Sequence, residues 1–63
     1  MDLNEKIKQA RAQAGLTQGQ LAEKVGCTKR SITYWETTHR QPDFILLRRI
    51  AEATGKTLDY FAA

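Results

Sequence analysis

One cysteine, one proline and four glycines are all that this 63-residue sequence holds of those three residue types. A single cysteine cannot close an internal disulfide, which excludes the stapled mini-domains of secreted proteins. With so little Gly and Pro and no low-complexity tract, a flexible linker or disordered tail is excluded as well. No apolar run approaches the roughly 20 residues that span a bilayer. The opening Met-Asp-Leu-Asn-Glu-Lys is polar and offers no signal-peptide stretch, so the expected compartment is the cytoplasm. Charge of one sign is only mildly in excess. Ten Lys and Arg against seven Asp and Glu give +3, a balance that leans toward a polyanionic partner.

What the sequence does hold is helical periodicity with clear punctuation. Leu3, Ile7, Ala10 and Ala14 recur at helical spacing and share one face. Gly15 is a left-handed stop, and Thr17 with Gln20 three residues on forms a capping box, with Leu16 and Leu21 at the hydrophobic-staple positions. The second helix is expected from Gln18 to about Val25, with Leu21, Ala22 and Val25 inward and Gly26 closing it. Only Cys27 separates Gly26 from the next cap, Thr28, so the third helix must cross the second sharply. That third helix has two large apolar residues, Ile32 and Trp35, and a polar, basic remainder. After a loop at Thr38–Pro42, Asp43 caps a fourth helix whose inward face is read as Phe44, Leu47, Ile50, Ala51 and Thr54. Gly55 ends it, Thr57 caps a last turn, and Leu58 and Phe61 pack back. No period-two alternation is long enough for a strand. The expectation is one all-α domain over residues 1–63, five short helices around a small core, with total stability on the order of 3–9 kcal/mol.

The span 18–36 has a helix-turn-helix layout. Ala22 is small where the third helix crosses, Gly26 sits where the chain turns at positive φ, and Leu21, Val25, Ile32 and Trp35 fix the angle. Lys29 and Arg30 stand at the start of the third helix, where unpaired N–H groups and the positive dipole end also favour phosphate. A helix so displayed fits a major groove about 12 Å wide, with Lys and Arg able to donate to guanine and Thr33 able to touch a thymine methyl.

The stretch LTQGQLAEKVGCTKRSITYWE, followed by Pro42 and Ile50-Ala51, resembles the Cro/repressor type of helix-turn-helix, also called XRE-like or lambda-repressor-like. The resemblance runs from about Leu3 to Phe61 and implies a five-helix DNA-binding domain whose third helix enters the major groove. It implies that Gln18 touches DNA at the start of the second helix. Thr28, Lys29, Arg30, Thr33 and Tyr34 would face bases or nearby phosphates, and Thr37, His39 and Arg40 would meet the backbone. Arg11 and Glu36 match a pair that forms a largely buried ion pair in several relatives. Three positions depart from the pattern. Thr38 stands where the family often has Gly, Thr54 where it has Leu and Lys56 where it has Val.

The implied function is a sequence-specific transcriptional repressor, bacterial or phage-encoded, on a palindromic double-stranded operator. It would act as a weak homodimer that DNA strengthens, paired near the C-terminus where Tyr60 is expected to point outward. Two other readings stay open: an antitoxin or controller protein that regulates its own promoter, and a protein-interaction module of the same fold. Cys27 lacks any zinc-ligand spacing and reads as an apolar plug beside Ala22 and Ile32. Ser31, His39 and Asp43 supply the residue types of a catalytic triad without a nucleophile-elbow pattern, so no enzyme is expected. Arg48 and Arg49 read as solvated. No cofactor, metal, membrane or small-molecule substrate is implied.

Overall fold

The expected side-chain caps at Thr17, Thr28 and Asp43 are in place. The computed structural model describes residues 2–62. Helices run as α1 Leu3–Gln13, α2 Gln18–Val25, α3 Lys29–Thr37, α4 Phe44–Thr54 and α5 Leu58–Ala62. Thr17 Oγ1 accepts the Gln20 N–H at 3.1 Å, and Gln20 Oε1 accepts the Thr17 N–H at 2.9 Å, a complete capping box. Thr28 Oγ1 accepts from the Ser31 N–H at 3.1 Å, and Asp43 Oδ1 from the Leu46 N–H at 2.8 Å. Gly26, at φ +85°, reverses the chain between α2 and α3, and its N–H donates to the Ala22 carbonyl at 2.8 Å.

All five helices contribute to one core. Ile7 and Ala10 of α1, Leu21, Ala22 and Val25 of α2, Ile32 and Trp35 of α3, Ile50 and Ala51 of α4 and Phe61 of α5 pack together. Each of the larger aliphatic side chains gains about 1.5–3 kcal/mol by leaving water. Ile32 and Trp35 anchor α3 and leave Lys29, Arg30, Tyr34 and Thr37 exposed. Cys27 packs against the core half-buried, and the loss of solvent pushes its thiol pKa up from the ordinary range.

Four readings of the sequence are corrected here. Phe44 does not face inward: it and Ile45 are 66% and 63% exposed, while Leu46 packs against the core instead. Counting back from Ile50 at 100° per residue, Phe44 falls about 120° off the core stripe and Leu46 only about 40° off it. Ala14 is exposed, because α1 has already ended and Ala14 serves as its C-cap. Tyr60 does not point outward. It is half-buried, its hydroxyl donates to Gln9 Oε1 at 3.2 Å, its ring meets Phe61 edge-on, and Lys56 Nζ lies 4.9 Å from its centroid. Arg49 is exposed yet not merely solvated, since its Nη1 donates to the Val25 carbonyl at 3.3 Å and caps the end of α2.

The departures at Thr54 and Thr38 have local explanations. Thr54 is buried, and its hydroxyl is satisfied by donating to the Ile50 carbonyl at 2.8 Å. Thr38 ends α3 in an extended conformation, φ −128° and ψ 174°, so the loop has no need of a left-handed residue there.

Candidate nucleic-acid interface

On α3, Ile32, Trp35 and Glu36 are buried, Lys29, Arg30, Tyr34 and Thr37 are exposed, and Thr33 is half-buried. Lys29, Arg30, Thr33, Tyr34 and Thr37 line one shallow depression of about 440 Å³. No carboxylate lines it, and among the described residues neither Lys29 nor Arg30 is in an ion pair. At the start of α3 the Thr28 side chain takes the Ser31 N–H, while the Lys29 and Arg30 N–H groups have no intrahelical partner and add positive potential beside the two cations.

Below this face lies a chain of polar contacts. Arg11 Nε donates to Glu36 Oε2 at 2.7 Å and Nη2 to Oε1 at 3.2 Å, a bidentate pair whose carboxylate side chain is 1% exposed. Arg11 Nη1 also donates to the Leu16 carbonyl at 2.9 Å, which ties the α1–α2 connection to the same guanidinium. Gln18 Nε2 donates to Glu36 Oε1 at 3.0 Å, and Gln18 Oε1 accepts from the Thr33 hydroxyl at 2.9 Å. The nitrogen must face the carboxylate, so the orientation of the Gln18 amide is determined. The network joins α1, α2 and α3, and among the described residues no buried side-chain polar atom lacks a partner.

The hydroxyls of Thr33, Thr37 and the C-cap Thr38 turn back onto backbone carbonyls of α3. Thr33 Oγ1 also lies 3.1 Å from the Lys29 carbonyl, Thr37 Oγ1 donates to the Thr33 carbonyl at 2.7 Å, and Thr38 Oγ1 to the Tyr34 carbonyl at 2.6 Å. The structure thus places Lys29, Arg30, Thr33, Tyr34 and Thr37 together, with Gln18 behind them and Thr28 at the helix start. His39 and Arg40 lie apart from that depression. They line a smaller one, of about 140 Å³, with Asp2, Leu3 and Asn4 at the start of α1. No signal in the sequence marks these α1 residues, because their approach to the loop is purely tertiary.

Two helices crossing at a glycine turn, the second anchored by Ile32 and Trp35 and displaying cations, define a helix-turn-helix protein. Residues 7–61 match the family described as helix-turn-helix. An uncharacterized HTH-type transcriptional regulator of Methanothermobacter thermautotrophicus is 44% identical over 50 residues, covering 79% of this chain and 72% of that one. The HTH-type regulator YqaE of Bacillus subtilis is 37% identical over 57 residues, covering 90% of this chain and 49% of that one. The solution structure of the DNA-binding domain of the P22 C2 repressor is similar with a TM-score of 0.93 at 24% identity, over 98% of this chain and 82% of that one. At that identity the likeness is one of fold. The chain belongs to the helix-turn-helix family, a class of DNA-binding transcription regulators. No helix among the described residues is long and apolar enough to cross a membrane.

Proposed function

We propose that the chain reads double-stranded DNA by sequence, with α3 in the major groove, and represses transcription by occupying its operator. The observation that carries this reading is the exposed face of α3, where two unpaired cations border a depression that no carboxylate lines. Backbone contacts through Lys29, Arg30, His39 and Arg40 supply affinity, and base edges met by α3 supply sequence choice. Gln18 and Thr28 bring the starts of α2 and α3 to the flanking phosphates through their backbone N–H groups, since both side chains are engaged within the protein. Repression needs occupancy alone, whereas activation needs a further contact with the transcription machinery. No catalytic step is part of this reading, and it places the protein in the compartment that holds the chromosome.

A palindromic operator and a second copy complete the reading. Phe44 and Ile45, not Tyr60, are the exposed apolar side chains that such a pair would cover. Two side chains fall well short of the roughly 800 Å² per partner that a stable interface buries, so DNA must hold the pair together. The recognition helices would then lie about 34–36 Å apart, one turn of duplex.

In vitro selection from a random duplex pool tests all of this. The expected product is a two-fold symmetric consensus bound by two copies. Selection of no sequence, with duplex binding absent at low salt, refutes the DNA reading and returns the α3 face to a protein partner. A consensus without symmetry, bound by one copy, refutes the pair alone.

A further inference from the structure

The start of α1 is drawn to the far end of α3, where Asn4 Nδ2 reaches the Glu36 carbonyl at 3.5 Å. The loop after α3 is fixed on the same side. Thr38 Oγ1 donates to the Tyr34 carbonyl at 2.6 Å and accepts from the Arg40 N–H at 3.2 Å. These contacts set Asp2 in the small depression that His39 and Arg40 also line. Among the described residues Asp2 is the one carboxylate lining it, whereas the depression on α3 has none. Asp2 holds the N-cap position of α1, yet its side chain takes no helix N–H, and no ion pair among the described residues includes it. Asp43 differs, because its carboxylate is engaged by the Leu46 N–H at 2.8 Å. An exposed, uncommitted negative charge thus stands beside the two loop side chains assigned to the DNA backbone.

We propose that Asp2 is an electrostatic brake on duplex binding, a carboxylate placed where a backbone phosphate approaches. The inference rests on the reading that α3 enters the major groove while His39 and Arg40 meet the backbone. Carboxylate and phosphate repel, and unit charges roughly 4 Å apart in water lower a binding constant about fivefold. Backbone contacts carry no sequence information, so the penalty falls on every duplex alike. The brake therefore limits how much of the protein is held on bulk DNA, and salt relieves it by screening. An acid at the start of a helix is also favoured by the helix dipole. Removing its charge acts on stability and on binding in opposite directions, which a purely structural role would not do.

Asp2→Asn in the full chain is the test. Asparagine caps a helix as well as aspartate does, so the variant should keep its fold, with a melting temperature unchanged or slightly lowered. Selected and scrambled duplexes should both bind about fivefold more tightly per copy at about 50 mM salt, and the gain should shrink at about 200 mM. Asp59→Asn makes the same change of net charge on α5 and should alter affinity little. In a chain that also carries His39→Gln and Arg40→Gln, which no longer draws a phosphate to the depression, the gain from Asp2→Asn should diminish. Unchanged or weaker binding by Asp2→Asn, while the selected duplex still outcompetes the scrambled one, overturns the brake and leaves DNA recognition intact. Equal gains from Asp2→Asn and Asp59→Asn overturn it as well, since net charge alone would then suffice. A gain undiminished in the His39→Gln, Arg40→Gln chain overturns its assignment to this depression. Absence of duplex binding by the unaltered chain at low salt removes the DNA reading itself, and the brake with it.

Discussion

Gln18 Nε2 lies 3.0 Å from Oε1 of Glu36, so an amide that family resemblance assigns to DNA is committed within the protein. Its oxygen is engaged too, by Thr33 at 2.9 Å. One N–H of the amide is left over. The side chain therefore sets the start of α2 against the middle of α3, and through Glu36 it is coupled to Arg11 on α1.

Glu36→Ala should be the most damaging of the polar substitutions. It strands the Arg11 guanidinium and the Gln18 amide together, at a cost of roughly 3–5 kcal/mol. Against a total stability on the order of 3–9 kcal/mol for a chain of this length, much of the variant should be unfolded at 37 °C. Urea or thermal unfolding followed by circular dichroism measures it. Melting like the unaltered protein would show that the pair contributes little.

Arg30→Ala and Tyr34→Ala remove exposed side chains and should leave stability within about 0.5 kcal/mol. Each should weaken binding to the selected duplex, by about 1–3 kcal/mol where the residue reads a base. Lys29→Ala should instead weaken selected and scrambled duplexes equally, as loss of a phosphate contact does. Titration at several salt concentrations adds the slope: a pair neutralising about 6–10 phosphates loses about 10³–10⁵ in affinity from 50 to 200 mM. Tight binding that salt leaves unchanged contradicts these assignments.

Thr38→Gly, although it restores the residue common in the family, should destabilise this chain. Thr38 is extended, so glycine relieves no strain, while the variant loses the hydroxyl bond to the Tyr34 carbonyl at 2.6 Å and that from the Arg40 N–H at 3.2 Å. Greater freedom in the unfolded chain adds to the loss, for about 1–2 kcal/mol in all. A rise in melting temperature would mean that the loop is strained after all.

Burial raises the pKa of Cys27, so the unfolded chain gives up the thiol proton first. Where the folded state holds more protons, stability falls as pH rises, here through the alkaline range in which free thiols ionise. Iodoacetamide at mildly alkaline pH should therefore label Cys27 more slowly in the native protein than in urea. Equal rates would contradict a thiol partly shielded by the fold.

The helix limits were legible because caps are local: Thr17, Thr28 and Asp43 each sit within three residues of the N–H they satisfy. The turn at Gly26 and the anchors Ile32 and Trp35 were legible for a similar reason, being constraints of spacing within 18–36. Phe44 escapes a sequence reading because apolar character does not secure burial at a residue off the stripe that Ile50 defines. The inward turn of Tyr60 is not legible locally, because the partner of its hydroxyl, Gln9, is 51 residues away in the chain. The tie between Gln18 and Glu36 is tertiary as well, and no spacing rule on one helix reveals it. Nor did any pattern announce that the threonine hydroxyls of α3 would turn back onto its carbonyls, since Thr at these positions could as well present them to solvent.

Side chains already tied down have little rotational freedom left to lose when a partner arrives. Gln18, Thr33 and Thr37 are in that condition, whereas Lys29 and Arg30 are held by no ion pair among the described residues. Ordering a long, flexible side chain costs about 0.5–1.5 kcal/mol, and on α3 that entropic penalty falls mainly on the two cations. The surface is therefore preorganised at its centre and adaptable at its charged edge. On the proposed reading, long-range attraction brings the duplex to the charged edge first, and the preorganised centre meets it afterwards.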